Sequence, residues 1–221
     1  HRANMQDIRG DDHPIFIALQ DVFSRYDIKL NDFETVLEGM EDDLYPVKNR
    51  TWDELRSYCY KVASAVGLIL IEIYGYEDRA ARLHAIDLGI QMQLINVLRD
   101  INEDMERGRV YLPLDILASH DMTLDQLQSP GIAQTAAWRG FIIEYVDMIK
   151  RHQESANQLF GYLDARARGQ PEIMADAYAS ILSEIVRRSG DVFTQPVRLS
   201  FTRKVLLGIR LNLRKIRARM F

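Results

Sequence analysis

The chain has 221 residues, 47% of them hydrophobic and 27% charged, which suits one globular domain with a substantial core. Few prolines and glycines, no low-complexity tract and no repeat at solenoid periods exclude fibrous, disordered and repeat architectures, while the single cysteine, Cys59, excludes an intramolecular disulfide framework and fits a reducing compartment. Net charge is −4, yet eight Arg and Lys residues and no acid follow Asp191, so the preceding residues carry −12; with no binding motif and no interleaved aromatics, nucleic acid is not the expected partner of that basic tail.

Taken in order, residues 1–12 are polar, and Asp12-His13-Pro14 sets up a helix start with Ile15, Ile17, Ala18, Leu19, Val22 and Phe23 on its apolar face. Asn31 is the expected cap of a second helix burying Phe33, Val36, Leu37 and Met40, interrupted at Pro46. Thr51-Trp-Asp-Glu54 reads as a capping box opening a long helix to Tyr74, closed by Gly75. Cys59 on that helix reads as core packing. Tyr58, Val62 and Val66 share a face at i, i+4 and i+8, beside a Gly67 that admits a close neighbour; periodicity alone makes this a core stripe.

The central helix is expected from Arg79 to Arg107, stopping at Gly108. Within it, QMQLINVLRDINEDMERGRVYLP (residues 91 to 113) places Gln93, Asn96, Asp100 and Asp104 within about 80° of arc, a polar stripe on an otherwise apolar helix. Two carboxylates and two amides facing an interior need a cation or a wet cavity. Their oxygens suit Mg²⁺, which shares its coordination with water and substrate phosphates. The same D-x-x-x-D spacing at Asp7/Asp11 and Asp121/Asp125 lacks a buried helix and reads as solvated surface. Arg99 has a structural alternative to ligand binding in pairing with Glu103 one turn on. Gly89 and Ile86 continue the stripe backwards with small or apolar groups.

Thr123-Leu-Asp-Gln126 is a second capping box for a short helix, followed by helical patterns at 132–167, 171–188 and 196–220. His13, His84, His120 and His152 have no partner at metal-ligand spacing and read as packing or surface residues. No stretch alternates as a strand, so the expected class is all-α, about eight helices in one domain over residues 1–221. No segment approaches an uncharged transmembrane length and no signal peptide opens the chain, giving a cytoplasmic expectation. The basic last helix, with Leu206, Leu207, Ile209, Leu213 and Ile216, suits peripheral contact with an anionic membrane.

The run Asn96-Val-Leu-Arg-Asp100-Ile-Asn-Glu-Asp104, then Arg107-Gly-Arg109-Val-Tyr111-Leu-Pro113, resembles the second aspartate-rich motif of the squalene/phytoene synthase family. The resemblance extends through Gly39-Met40, Asp43-Leu44 and Tyr58-Cys-Tyr-Lys-Val62-Ala-Ser-Ala-Val66-Gly67, and on to Tyr178, Ile181, Leu182 and Val192-Phe193. It implies an isoprenoid-synthase-type helical bundle and a Mg-dependent prenyltransferase. Two farnesyl or geranylgeranyl diphosphates would be joined head to head, through a cyclopropylcarbinyl diphosphate, to squalene, dehydrosqualene or phytoene, with NADPH required only for squalene. By resemblance Asn96, Asp100 and Asp104 hold the metal, Arg109 pairs with diphosphate and Tyr111 closes the site. Tyr58 lies near the departing diphosphate; Val62, Val66, Gln93 and Asn96 contact substrate along the prenyl tunnel. Two departures stand out. No equivalent of the family's first aspartate-rich motif precedes His13, so a truncated member, a fragment or half of a complex is expected, with poor turnover by this chain alone; and Gln195-Pro196 then Arg198 replace an arginine pair. The rival expectation is a non-catalytic helical assembly or binding protein keeping half of the metal site.

Overall fold

The computed structural model describes residues 14–45 and 51–220, with side chains as far as Arg210. Among these residues the chain is all-α, and the only β pairing is an isolated bridge between Tyr76 and Leu163. The helices are α1 (Pro14–Arg25), α2 (Leu30–Asp42), α3 (Trp52–Cys59), α4 (Ala65–Tyr74), α5 (Ala81–Arg99), α6 (Ile101–Glu106), α7 (Leu114–Ser119), α8 (Ala136–Ala156), α9 (Leu159–Tyr162), α10 (Gly169–Arg187) and α11 (Phe201–Met220).

Helix α5 is the axis, packed by α3, α4, α8, α9 and α10. It buries residues all round its surface, with Leu94, Ile95 and Leu98 fully inaccessible, as an apolar helix at a domain centre should. On one side the core is built on Trp138, Phe141 and Tyr145 of α8, each contributing about 1.5–3 kcal/mol by burial. Their polar tips are satisfied, Trp138 Nε1 donating to Gly190 O at 3.0 Å and Tyr145 Oη to Leu94 O at 3.2 Å. On the other side Leu68, Ile71, Ala81, Ala85, Leu159 and Leu163 form a second cluster. Two histidines fasten α5 to α8: His84 Nδ1 lies 2.9 Å from Ser155 Oγ, and His152 Nδ1 2.7 Å from Asp87 Oδ1. His120 similarly meets Glu144 at 2.8 Å, so these three are packing residues, while His13 lies outside the described residues.

The Thr51 capping box is complete: Glu54 N donates to Thr51 Oγ1 at 3.3 Å and Thr51 N to Glu54 Oε2 at 2.8 Å. The helix it opens reaches Tyr74 and ends at Gly75, with φ +78°, but five residues in its middle, Tyr60–Ser64, form a π turn. That wider turn presses on α5 at Gly89, where a Cβ would sit 2.5 Å from Ser64 Cα and 2.6 Å from Ser64 N. Ser64 Oγ donates to Ile86 O at 2.7 Å across the same contact. Over Trp52–Tyr74 this helix is long and apolar enough to cross a membrane, with mean hydropathy 1.2 over its most apolar window, contrary to the expectation that no segment approaches such length. Its side chains instead reach neighbouring elements, Tyr58 meeting Asp43, Lys61 meeting Asp42 and Cys59 fully buried.

Several expected boundaries move. The second helix begins at Leu30, with Lys29 rather than Asn31 at the cap, and it turns Asp32 and Gly39 inward while Leu37 and Met40 remain exposed. Gly39 faces the π turn so closely that a Cβ would lie 2.7 Å from Val62 Cγ1. α1 buries none of its residues, and its contact with α2 is an edge-on Phe23/Phe33 pair at 5.9 Å. The central helix breaks at Asp100 (φ −102°, ψ 13°), resumes as α6, and stops at Gly108 with φ +72°. The Thr123 box supplies only its Gln126 half, Thr123 N donating to Gln126 Oε1 at 2.8 Å, and it opens a 3₁₀ turn over Asp125–Gln128. The helix expected over 132–167 is divided because Thr135 caps α8, accepting from Trp138 N at 3.1 Å, and α8 ends before α9.

At the end of the chain Leu207 of α11 is buried, Arg203 Nε donates to Ser180 Oγ at 2.8 Å and Arg210 Nη1 to Asp176 Oδ2 at 2.6 Å, docking one face on α10. Phe201, Val205, Leu206 and Ile209 stay exposed on the other. The side chains of Leu213 and Ile216 lie outside the described set, as do the Asp7/Asp11 match and Pro46.

Candidate active site

A cavity of about 310 Å³ runs between three helical stripes. The first is Val62, Val66, Leu70 and Tyr74, spaced i, i+4 along the π turn and α4; the second is Asn96, Gln93, Gly89 and Ala85 on α5; the third is Tyr178, Met174 and Pro171 on α10. Its wall is mostly apolar, with the two amides Gln93 and Asn96 at one end beside Tyr178, and Tyr74 the polar-tipped residue elsewhere in the lining. Val62, Val66, Gln93 and Asn96, expected together from the sequence, are thus brought to one surface.

Asn96 Nδ2 donates to Gln93 Oε1 at 3.2 Å, which leaves the Asn96 carbonyl oxygen buried and without a partner among the described residues. A buried acceptor left unsatisfied costs about 1–3 kcal/mol, and its place at the polar end of an apolar cavity suits a ligand that supplies the missing contact.

One turn further, the stripe changes character. Asp100 is engaged by the adjacent Arg99, whose Nε and Nη2 reach its two carboxylate oxygens at 2.7 and 2.5 Å. Arg99 therefore pairs with Asp100 rather than with Glu103, because the helix break brings the neighbouring side chains side by side. Asp104 carries no such pair; burial, reinforced by the charge of Asp100, pushes its carboxyl up to about 6, against opposition from Arg107 and Arg109. Asp121 has φ +55° and lies with Asp125 on the connection after α7, away from this stripe.

The catalytic side chains expected around the diphosphate also converge, on a residue the sequence reading did not assign to the site. Asp43, the C-cap of α2, accepts from Tyr58 Oη at 3.0 Å and from Tyr111 Oη at 2.6 Å, while Arg109 Nη2 donates to the Asp43 carbonyl at 3.3 Å. Burial raises the Tyr58 phenol, with Tyr111 and Asp43 adding to it, and burial together with the Asp43 bond raises Tyr111. Both hydroxyls therefore remain protonated donors. Arg109 and Tyr111 are held over the stripe because Gly108 reverses the chain and Arg109 N donates back to Asp104 O at 2.8 Å. The acidic run Glu41-Asp42-Asp43 at a helix C-terminus, where carboxylates oppose the macrodipole, was the available signal for Asp43. A second cleft, of about 410 Å³, borders the Arg99–Asp100 pair and is lined by Arg198 and Lys204, so basic side chains face the stripe where the arginine pair was missing.

The donor set fits a hard divalent cation in part. Asp100, Asp104 and the Asn96 carbonyl supply oxygens, and among the described residues no cluster of three or more His, Cys, Asp or Glu side chains is arranged for a metal. The remaining positions of a magnesium ion would fall to phosphate oxygens and water, as is usual for that ion.

The squalene/phytoene synthase family model matches residues 2–203. The chain is 31% identical over 220 residues to phytoene synthase of Arthrospira platensis, covering 94% of this chain and 70% of that protein. It is 33% identical over 195 residues to the chloroplastic phytoene synthase 2 of Oryza sativa subsp. japonica, covering 86% and 48%. The chain spans about half the length of such plant relatives. Among solved structures, a dehydrosqualene synthase in complex with ligand superposes with a TM-score of 0.78 at 25% identity, over 96% of this chain and 73% of that one. The squalene synthase HpnC from Alicyclobacillus acidocaldarius gives 0.73 at 25% identity, over 80% and 66%.

Proposed function

Because the chain belongs to the squalene/phytoene synthase family, we propose that it takes part in the head-to-head condensation of two prenyl diphosphates. The observation that carries this reading is the buried, unpartnered carbonyl of Asn96 at the polar end of an apolar cavity, an arrangement suited to a molecule with a hydrocarbon body and an anionic head.

In this reading the prenyl chain lies along Val62, Val66 and Gly89 with its diphosphate toward Asn96, Asp100 and Asp104. A magnesium ion held by those three residues would supply the electrostatic stabilisation of charge accumulating on the leaving group. Tyr58 and Tyr111, kept protonated by burial, can exchange the Asp43 carboxylate for a phosphate oxygen without any proton leaving the site. Arg109 offers a guanidinium fork matched to the same oxygens. The apolar walls offer the allylic cation no nucleophile of their own, so that the double bond of the second substrate attacks it; the joined cation then loses a proton to the departed diphosphate and closes the ring of the cyclopropylcarbinyl diphosphate. The likeness to relatives named phytoene synthase supports phytoene as the product of this reading, which would make geranylgeranyl diphosphate the substrate and leave no need for NADPH.

The test is incubation of the chain with farnesyl or geranylgeranyl diphosphate and Mg²⁺, with chromatography for hydrocarbon product and assay of released diphosphate. Binding of a thiodiphosphate analogue reports on the site where turnover is slow. Neither product nor Mg²⁺-dependent binding would remove the reading in favour of a non-catalytic domain. We also propose peripheral contact of α11 with anionic lipid, supported by its exposed Phe201, Val205, Leu206 and Ile209 beside a basic sequence.

A further inference from the structure

We propose that Arg82 is a positioning residue for the diphosphate site: by pairing with Asp32 it pins the start of α2, and so holds Asp43, at the other end of that helix, against Tyr58 and Tyr111. The inference rests on the prenyl diphosphate reading and adds to it what keeps Asp43 in register with the two hydroxyls. Arg82 lies in the first turn of α5, well before the polar stripe, and its guanidinium bridges two other helices. Nη2 donates to Asp32 Oδ2 of α2 at 2.7 Å and Nη1 to Glu72 Oε1 of α4 at 2.6 Å. The two carboxylate side chains are 6% and 8% exposed, and Tyr76 Oη donates to the same Glu72 oxygen at 3.0 Å. Carboxylates so withdrawn from water are costly when unpaired, so the arginine fixes where both helices can sit.

Little apolar burial seats α2. Its buried residues are Asp32 and Gly39, while Leu37 and Met40 are exposed, and α1 before it buries nothing. Gly39 sets how closely the helix approaches Val62 and Lys61, but it has no side chain to stop the helix from turning or sliding. Two sets of polar ties do that, one at each end. At the C-terminal end Lys61 Nζ meets Asp42 Oδ2 at 3.0 Å, and Tyr58, Tyr111 and Arg109 donate to Asp43. At the N-terminal end is the Arg82–Asp32 pair, in a first turn where the helix dipole also favours a carboxylate. The two ends respond differently to a ligand. A diphosphate engages the tyrosines and Arg109, the groups that tie Asp43, whereas Asp32 stands eleven residues back, about 16 Å along the helix, and outside the cavity. The register that brings both hydroxyls to one point before the ligand arrives is therefore kept by a pair that the ligand does not disturb.

The experiment is a double-mutant cycle on the Mg²⁺-dependent affinity of the chain for farnesyl and geranylgeranyl thiodiphosphate, by calorimetric titration, with urea unfolding to show that each variant is folded. Asp32→Ala, which leaves Arg82 paired with Glu72, and Asp43→Ala should each weaken binding about tenfold. The double variant should lie within about twofold of either, because an Asp43 already out of register no longer contributes. Arg82→Lys, which keeps the charge without the fork, and Asp32→Asn, which keeps the shape without the charge, should show smaller losses of the same kind and carry the test should the alanine variant fail to fold. Independent residues about 16 Å apart would instead multiply, to about a hundredfold, and that result overturns the assignment. Asp32→Ala combined with Asp104→Asn, by contrast, should multiply; a shortfall there would mean general loosening of the fold and overturns it too. So does unchanged or tighter binding by folded Asp32→Ala or Asp43→Ala. Failure of wild type to bind either analogue removes the prenyl reading itself, and this inference with it.

Discussion

Tyr58 and Tyr111 lie stacked, ring centroids 4.8 Å apart and planes 18° apart, and both hydroxyls donate to the carboxylate of Asp43. Neighbouring phenols would each need a separate acceptor in most settings. Here a single acidic side chain at the end of α2 aligns both for a shared anionic guest.

Asp43→Ala deletes the acceptor of two nearly inaccessible hydroxyls and should lower unfolding stability by about 2 kcal/mol, the cost of leaving buried donors unsatisfied. Tyr111→Phe, which removes one donor and leaves Asp43 bonded to Tyr58, should cost less. Urea denaturation of the three proteins decides it; an alanine variant as stable as wild type would mean that water satisfies these groups.

Asp100→Asn and Asp104→Asn should each weaken Mg²⁺-dependent binding of a prenyl thiodiphosphate about a hundredfold, the scale of losing one preorganised electrostatic partner. Asp121→Asn and Asp125→Asn sit on a connection and should leave it unchanged. Calorimetric titration of all four gives the comparison. Equal effects from both pairs would reduce the stripe to a decorated helix.

Asp104 also makes a pH prediction. Its carboxyl is raised from 3.8 to about 6 in the folded protein, so folding favours the protonated form. The contribution is therefore fully present below pH 3.8 and lost as pH rises through about 6. Metal-free Asp104→Asn lacks that dependence and should gain stability relative to wild type between those pH values. Thermal unfolding across the window measures the difference; parallel curves would show that Asp104 is not desolvated as its surroundings suggest.

For α11, the chain should float with vesicles containing anionic lipid and not with neutral ones, each basic residue near the surface contributing about 1 kcal/mol. Removal of residues 205–221, or Phe201, Val205 and Ile209 changed together to Ser, should abolish flotation. Undiminished binding by both variants would rule out this helix as the contact.

Much of the architecture is written in local pattern. The Thr51 box, the Gly75 and Gly108 stops, and the alignment of Gln93 and Asn96 need only neighbours within a turn or two, and the structure contains each. What local pattern does not contain is partner choice. Asp43 meets Tyr58 and Tyr111 from 15 and 68 residues away, so the acidic run that ends its helix can mark it as unusual but not name its partners. The π turn is equally silent, since its residues read as ordinary α-helix until Gly89 of another helix is pressed against them. Leu37 and Met40 were expected inside because they are apolar, yet the closeness of Gly39 to Val62 decides which face of α2 turns inward. The stripe itself was legible, but the diversion of Asp100 to Arg99 was not, because it depends on a break in the helix that no glycine or proline announces.

The contact between Gly89 and Ser64 fixes more than the spacing of two helices. Backbone meets backbone there, so on the seam between the π turn and α5 no side chain remains to be trimmed. That part of the wall is set by main chain, and the width of the cavity can change only from the side chains opposite, those of α10 above all. A lineage of variants would therefore remodel the α10 wall while the seam between the other two helices stayed as it is.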